Sequence, residues 1–158
     1  MRFWANLLHI KFLFQMKLLE MQQPDIVRLI QELSLKGEIM PLVKVEMKKG
    51  KSAEFKKSVL ECIHEGLMAS LAIEDWDRFQ RIVEIEPEDF ETAPGKTENF
   101  MIIELTIFPG RTKEQKKNAI EMITSNLNKT LGIEPTDVFI VMNEPPLENW
   151  GMGGKQKG

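Results

Sequence analysis

Gly50-Lys51-Ser52-Ala53-Glu54-Phe55-Lys56-Lys57 and Gly110-Arg111-Thr112-Lys113-Glu114-Gln115-Lys116-Lys117 are one phrase written twice, at an offset of 110 − 50 = 60 residues. The same offset carries Glu61 onto Glu121, Ile63 onto Ile123, Leu67 onto Leu127, Leu71 onto Leu131, Asp77 onto Asp137 and Glu84 onto Glu144, with no gap. A sequence that repeats itself at one fixed period is using one supersecondary unit twice.

The signals inside each copy come in the same order. A short alternating or apolar run, Leu42 to Met47 or Met101 to Phe108, reads as a strand. After the glycine, Ser52 or Thr112 starts a helix, and Thr112 with Gln115 has the spacing of a capping box. Phe55, Val59, Ile63, Leu67 and Leu71 recur at helical spacing, as do Ala119, Ile120, Ile123, Leu127 and Leu131, so each helix has one face to bury. A second strand follows Asp77 or Asp137, over Phe79 to Ile85 and Val138 to Met142. Each copy is therefore a β-α-β unit with parallel strands and a right-handed crossover. The expected fold is α/β (α+β in some schemes): tandem β-α-β units forming a four-stranded mixed sheet with two helices on one face. The other face stays apolar and uncovered, which predicts an oligomer. Repeat one spans 41–86, a polar loop with Pro94-Gly95 spans 87–99, repeat two spans 100–145, and a tail spans 146–158.

The composition narrows the partners. A chain of 158 residues with 42% hydrophobic content supports one domain with a sizeable core. The net charge of -3, without a basic stripe, argues against nucleic acid. One cysteine, Cys62, and no export signal predict a cytoplasmic protein. His9 and His64 are far apart and no Cys/His cluster has ligand spacing, so no metal is expected.

Residues 1–39 differ in texture. Phe3, Trp4, Leu7, Leu8 and Ile10 crowd together, but Arg2, Lys11 and Lys17 interrupt them. That excludes a membrane span, which needs ~20 nearly uncharged residues, and a signal peptide. A membrane is therefore not expected as a partner, although an amphipathic surface helix stays open. The simpler expectation is translated upstream DNA. Lys36-Gly37-Glu38 stands where a purine-rich ribosome-binding sequence would precede a start at Met40.

Four stretches carry a resemblance: Met40-Pro41-Leu42-Val43-Lys44, Asp75-Trp76-Asp77-Arg78-Phe79-Gln80, Gly110-Arg111-Thr112-Lys113-Glu114-Gln115-Lys116, and Glu148-Asn149-Trp150-Gly151. Together with the doubled unit, they make residues 40–158 resemble the tautomerase superfamily, in the fused branch that includes malonate semialdehyde decarboxylase-like proteins. The resemblance implies a cofactor-free homotrimer acting on small 2-oxo acids or enols of the phenylpyruvate type. It also implies a catalytic amino-terminal proline at Pro41, a carboxylate-binding arginine at Arg111 and an assisting aspartate at Asp77. The decarboxylases carry a second arginine just before the one matched by Arg111. Here Phe108 and Pro109 occupy that region, which favours tautomerisation over decarboxylation; hydration or decarboxylation of a 3-oxo acid by the same groups, with Pro41 protonated, is the nearest enzymatic alternative. If Pro41 stays internal, its nitrogen is an amide without base chemistry, and a catalytically silent trimeric binding module is the expected alternative.

Each candidate also has a plain structural reading. A proline before a strand commonly just opens it. Arg111 could be a solvated turn residue like its counterpart Lys51, although a cation at a helix amino terminus opposes the helix dipole and a bound carboxylate would favour it. Asp77 recurs as Asp137, so an aspartate there could simply shape the turn. Gln80 differs from its counterpart Ile140 and is a candidate for substrate binding. Phe108, Phe139 and Trp150 are candidate apolar walls, and His64 and Cys62 read as packed residues.

Overall fold

The computed structural model describes residues 41–157, and the readings made for residues 1–39 lie outside the described residues. The described chain runs β1 (Leu42–Lys48), α1 (Ala53–Leu71), β2 (Phe79–Ile85), β3 (Met101–Thr106), α2 (Lys113–Leu131) and β4 (Val138–Asn143), then a hairpin of β5 (Gly151–Met152) and β6 (Lys155–Gln156). Strand order in the main sheet is β2-β1-β3-β4. The pairs β1–β2 and β3–β4 are parallel, as a β-α-β unit requires, and the two units meet through the antiparallel pair β1–β3.

Both helices start as their sequences dictate. Ser52 Oγ accepts from Phe55 N at 3.1 Å, and Thr112 with Gln115 forms a complete capping box. Alternation divides each inner strand between two faces. Val43, Val45 and Met47 of β1 and Met101, Ile103 and Leu105 of β3 are buried against Val59, Ile63, Leu67, Leu71, Ala119, Ile123 and Leu127 of the helices. On the opposite face the registers align Leu42 with Phe79 and Ile102 with Phe139. Phe79 is 45% and Phe139 56% exposed, and Val83 and Val141 join them. Charged residues interrupt that face, with Arg81 opposite Lys44 in the register. Lys44 lies 3.0 Å from both Glu46 and Glu104.

The β3 strand is shorter than the run Met101 to Phe108 led us to expect. It ends at Thr106; Ile107 N still donates to Asn143 O at 2.9 Å, and the Phe108 ring then packs on Trp150. The hairpin in the tail was not anticipated. Gly153 and Gly154 both take positive φ, as a two-residue turn between short strands requires.

The helices approach most closely at Gly66. A methyl group there would lie 2.7 Å from Ile123 Cγ1 and 3.0 Å from Ile123 N. The repeat counterpart of Gly66 is Asn126, whose Nδ2 donates to Cys62 O at 3.2 Å across the same contact. At the helix ends the copies differ. Ala72 is held in the left-handed region at φ 55, where copy two has Gly132 at φ 65. Gly66→Ala should destabilise the chain by about 1–3 kcal/mol, since backbone must move to admit the methyl. Ala72→Gly should stabilise it by about 1 kcal/mol through relief of left-handed strain. Urea denaturation of both variants measures the two effects.

Candidate active site

Strand register brings the sequence candidates together. Leu42 faces Phe79 across the parallel pair and Thr106 across the antiparallel one. Pro41 just before β1, Asp77 two residues before β2, and Phe108 two residues after β3 therefore lie at one end of the sheet. The Gly110 turn adds Arg111. Thr106 faces Asn143, which adds Glu144 and the tail. The repeat counterparts Met101, Asp137 and Lys51 are carried to the other end by the same pairing.

The two aspartates have the same burial and opposite fates. Asp137 is 1% exposed, and its carboxylate accepts from Thr97 N at 2.9 Å and Thr97 Oγ1 at 2.5 Å. Asp77 is 2% exposed, and its Oδ1 is buried with no hydrogen-bond partner. Burial alone pushes its pKa up from the ordinary carboxylate value. The connector supplies Thr97 to Asp137. The position 60 residues earlier is Gly37, before Pro41 and outside the described residues.

Arg111 and Lys51 differ in the same way. Lys51 Nζ donates to Asn99 Oδ1 at 2.7 Å and lies 5.3 Å from the Phe55 ring centroid. The Arg111 guanidinium has no hydrogen bond or ion pair among the described residues. Burial lowers its pKa, and the charge of Glu144 partly opposes that shift. A guanidinium stays protonated through such a change, so the site holds a partly desolvated cation at the start of α2. Glu144 Oε2 accepts from Lys116 Nζ at 2.6 Å, while Oε1 is buried without a partner. The pair repeats Lys56–Glu84, at 2.8 Å in copy one.

Beside Pro41 lies a cavity of about 120 Å³ lined by Leu42, Phe108, Trp150, Gly151, Met152 and Lys157. Phe108 and Trp150 meet edge to face with ring centroids 4.5 Å apart. Trp150 is fixed by Nε1 donating to Pro145 O at 3.1 Å and by its carbonyl accepting from Lys157 N at 3.0 Å. Of the three aromatic candidates, Phe108 and Trp150 line this cavity. Phe139 is not among the residues lining the cavity: β4 pairs it with Ile102 near the far end of the sheet, exposed on the open face. Gln80 lies opposite Val43 on the helix side of the sheet, and its Nε2 is buried without a partner. Sequence reasoning missed Leu42, Met152 and Lys157 as walls. The Gly151-Met152-Gly153-Gly154 run was the available sign of a hairpin that could carry them. Among the described residues no group of three or more His, Cys, Asp or Glu is arranged to hold a metal ion. No described helix is long and apolar enough to cross a membrane.

A family model described as "Tautomerase enzyme" matches residues 77–153. "Probable tautomerase YusQ" of Bacillus subtilis (strain 168) is 29% identical over 119 residues, covering 72% of this chain and 94% of that protein. "2-Hydroxymuconate tautomerase" of Comamonas testosteroni is 35% identical over 51 residues, covering 32% of this chain and 81% of that protein. That relative is thus about the length of one repeat. Among solved structures, FG41 malonate semialdehyde decarboxylase inhibited by 3-bromopropiolate has a TM-score of 0.64 at 28% identity, covering 71% of this chain and 88% of that one. A fused 4-OT solved as an asymmetric trimer has a TM-score of 0.67 at 18% identity, covering 73% and 95%. Both the α+β fold and its doubled β-α-β organisation are thereby matched.

A buried, unpartnered carboxylate has a thermodynamic signature. The folded pKa of Asp77 is raised above 3.8, so its charge costs stability above that folded value. The cost shrinks as pH falls through the folded pKa and is gone below 3.8. Asp77→Asn should therefore stabilise the full chain by about 1–2 kcal/mol at neutral pH, with no gain near pH 3.5. Urea denaturation at the two pH values checks this.

Proposed function

Because the chain belongs to the tautomerase family, we propose that it is a cofactor-independent tautomerase of small 2-oxo acids and their enols, with Pro41 as its proton carrier. One observation carries this reading. Pro41, Asp77 with its unpartnered Oδ1, and Arg111, unpaired among the described residues, share one end of the sheet, whereas their repeat counterparts at the other end are a methionine and two satisfied side chains.

In the 158-residue chain the Pro41 nitrogen is acylated by Met40 and has no basicity. The working form is a chain that begins at Pro41, where the nitrogen is a secondary amine. A free α-amino group titrates near ~8, and partial burial or a neighbouring cation lowers that value toward working pH. Asp77 then has a donor: the amine takes the place that Thr97 fills for Asp137.

The reaction is a proton relocation. Pro41 removes the proton from the enol hydroxyl, the electrons collapse to a carbonyl, and the carbon beside it takes a proton back from the prolinium. Arg111 holds the substrate carboxylate with two N–H donors and stabilises negative charge on the adjacent oxygen. Asp77 orients the amine and favours its protonated form between the two transfers. The cavity beside Leu42, Phe108 and Trp150 takes an apolar substituent, which supports a phenylpyruvate-type substrate. Gln80 is a further candidate for a polar contact to the substrate through its unpartnered amide. Decarboxylation or hydration would call for a protonated Pro41 and a second cation. Phe108 and Pro109 occupy that region, and Phe108 is buried against Trp150.

The open face of the sheet, with Phe79, Val83, Phe139 and Val141 exposed around the Lys44 ion pairs, is the surface by which a homotrimer would form, in keeping with the trimeric fused 4-OT. In a chain beginning at Pro41, Pro41→Ala should lower kcat/KM for the enol of phenylpyruvate by roughly a hundredfold or more, the scale of a lost general base. Unaltered turnover overturns the mechanism. Intact mass of the natural protein provides the independent check. A species starting at Pro41 supports the enzyme, and one that retains Met1 supports a silent trimeric binding module.

A further inference from the structure

The turn that presents the aspartate is held differently in the two copies. In both, the aspartate N–H closes the turn onto a glutamate carbonyl: Asp77 N to Glu74 O at 3.0 Å, and Asp137 N to Glu134 O at 2.8 Å. In copy two the connector then covers the turn. Thr97 takes both carboxylate oxygens of Asp137, and Lys96 Nζ donates to Thr136 O. In copy one, Arg78 folds back on the turn from the other side. Its Nε donates to Asp75 O at 2.8 Å and its Nη2 to Asp75 Oδ1 at 2.5 Å. The same guanidinium forks onto Glu61 of α1, at 2.7 and 3.1 Å. Buried His64, one turn along that helix, places Nε2 3.6 Å from Asp75 Oδ1.

Copy two has no equivalent of this arrangement. Val138 stands in place of Arg78, Pro135 in place of Asp75 and Thr124 in place of His64. Glu121, the counterpart of Glu61, lies 3.8 Å from Lys117 of its own helix. A single exposed ion pair is worth little, but here four bonds converge on one planar group and tie the turn to the helix. None of the four uses the Asp77 carboxylate. We propose that Arg78 is a positioning residue for Asp77: it fixes the Glu74–Asp77 turn onto α1 through Glu61 and Asp75, and so leaves the buried carboxylate free for the reacting amine. The value of this arrangement to turnover rests on the role given to Asp77 above, whereas its geometric part does not.

The test separates the two parts. Carbon-detected NMR titration of Asp77 in the full 158-residue chain reads the geometry without any activity. Arg78→Ala should lower the Asp77 pKa toward the ordinary 3.8, because a loosened turn lets water reach the carboxylate. An unmoved or raised value overturns the proposal. In the chain beginning at Pro41, Arg78→Ala should lower kcat on the phenylpyruvate enol by roughly ten- to a hundredfold with KM little changed, the scale of a misplaced catalytic group. Arg78→Lys, which cannot fork, should recover little of the loss. The Arg78→Ala effect should vanish in an Asp77→Asn background, and additive losses overturn the positioning role. If Asp77→Asn alone leaves kcat unaltered, the role of Asp77 in the reaction falls, while the titration still decides the role of Arg78. Should Arg78→Ala fail to fold, Glu61→Gln cuts only the arm to α1 and gives the same readouts.

Discussion

The antiparallel ladder between β1 and β3 is the contact on which the rest of this domain depends. Each β-α-β unit completes its own parallel pair, but only this ladder joins the two into one sheet and brings both helices over one core. Running the strands in opposite directions sends equivalent residues to opposite ends. A duplicated chain therefore does not acquire two adjacent copies of a site. It acquires two separated ends, which are free to diverge.

They have diverged in hydrogen bonding more than in residue type. Both ends keep a buried aspartate and a cation after the first strand, and at one end these groups are saturated by Thr97, Asn99 and the face of Phe55. At the other end Asp77 Oδ1 is buried without a partner, and the Arg111 guanidinium has no hydrogen bond or ion pair among the described residues. Leaving a buried polar group unpaired costs stability, commonly about 1–3 kcal/mol, and such costs concentrate where a ligand or reacting group completes the set. The connector between the units has thus become part of the structural end alone.

Much of the fold was legible because its signals are local. The capping residues Ser52 and Thr112, the helical spacing of Val59, Ile63 and Leu67, and the glycines at one offset name the elements and their order. The resemblance named the main site residues. What the sequence could not separate was Asp77 from Asp137, since both are aspartates before a strand. The difference lies in Thr97, forty positions from one of them and close only after folding. The place of Phe139 is open in the sequence for a related reason: an aromatic at a strand position shows that it alternates, and only the register shows which end of the sheet it reaches. The tail hairpin escaped notice because two-residue strands have no period to detect.

That hairpin has a consequence for how such proteins diversify. Its residues are exposed, Lys157 N and Gln156 Nε2 bond to the main-chain oxygens of Trp150 and Glu148, and none of its residues belongs to the described core between sheet and helices. Yet it supplies half the wall of the cavity beside Leu42. Insertions, deletions and exchanges in this last stretch of chain can reshape what the pocket admits at little risk to folding. The segment least important to the architecture is therefore the one on which selection for a new substrate can act most freely.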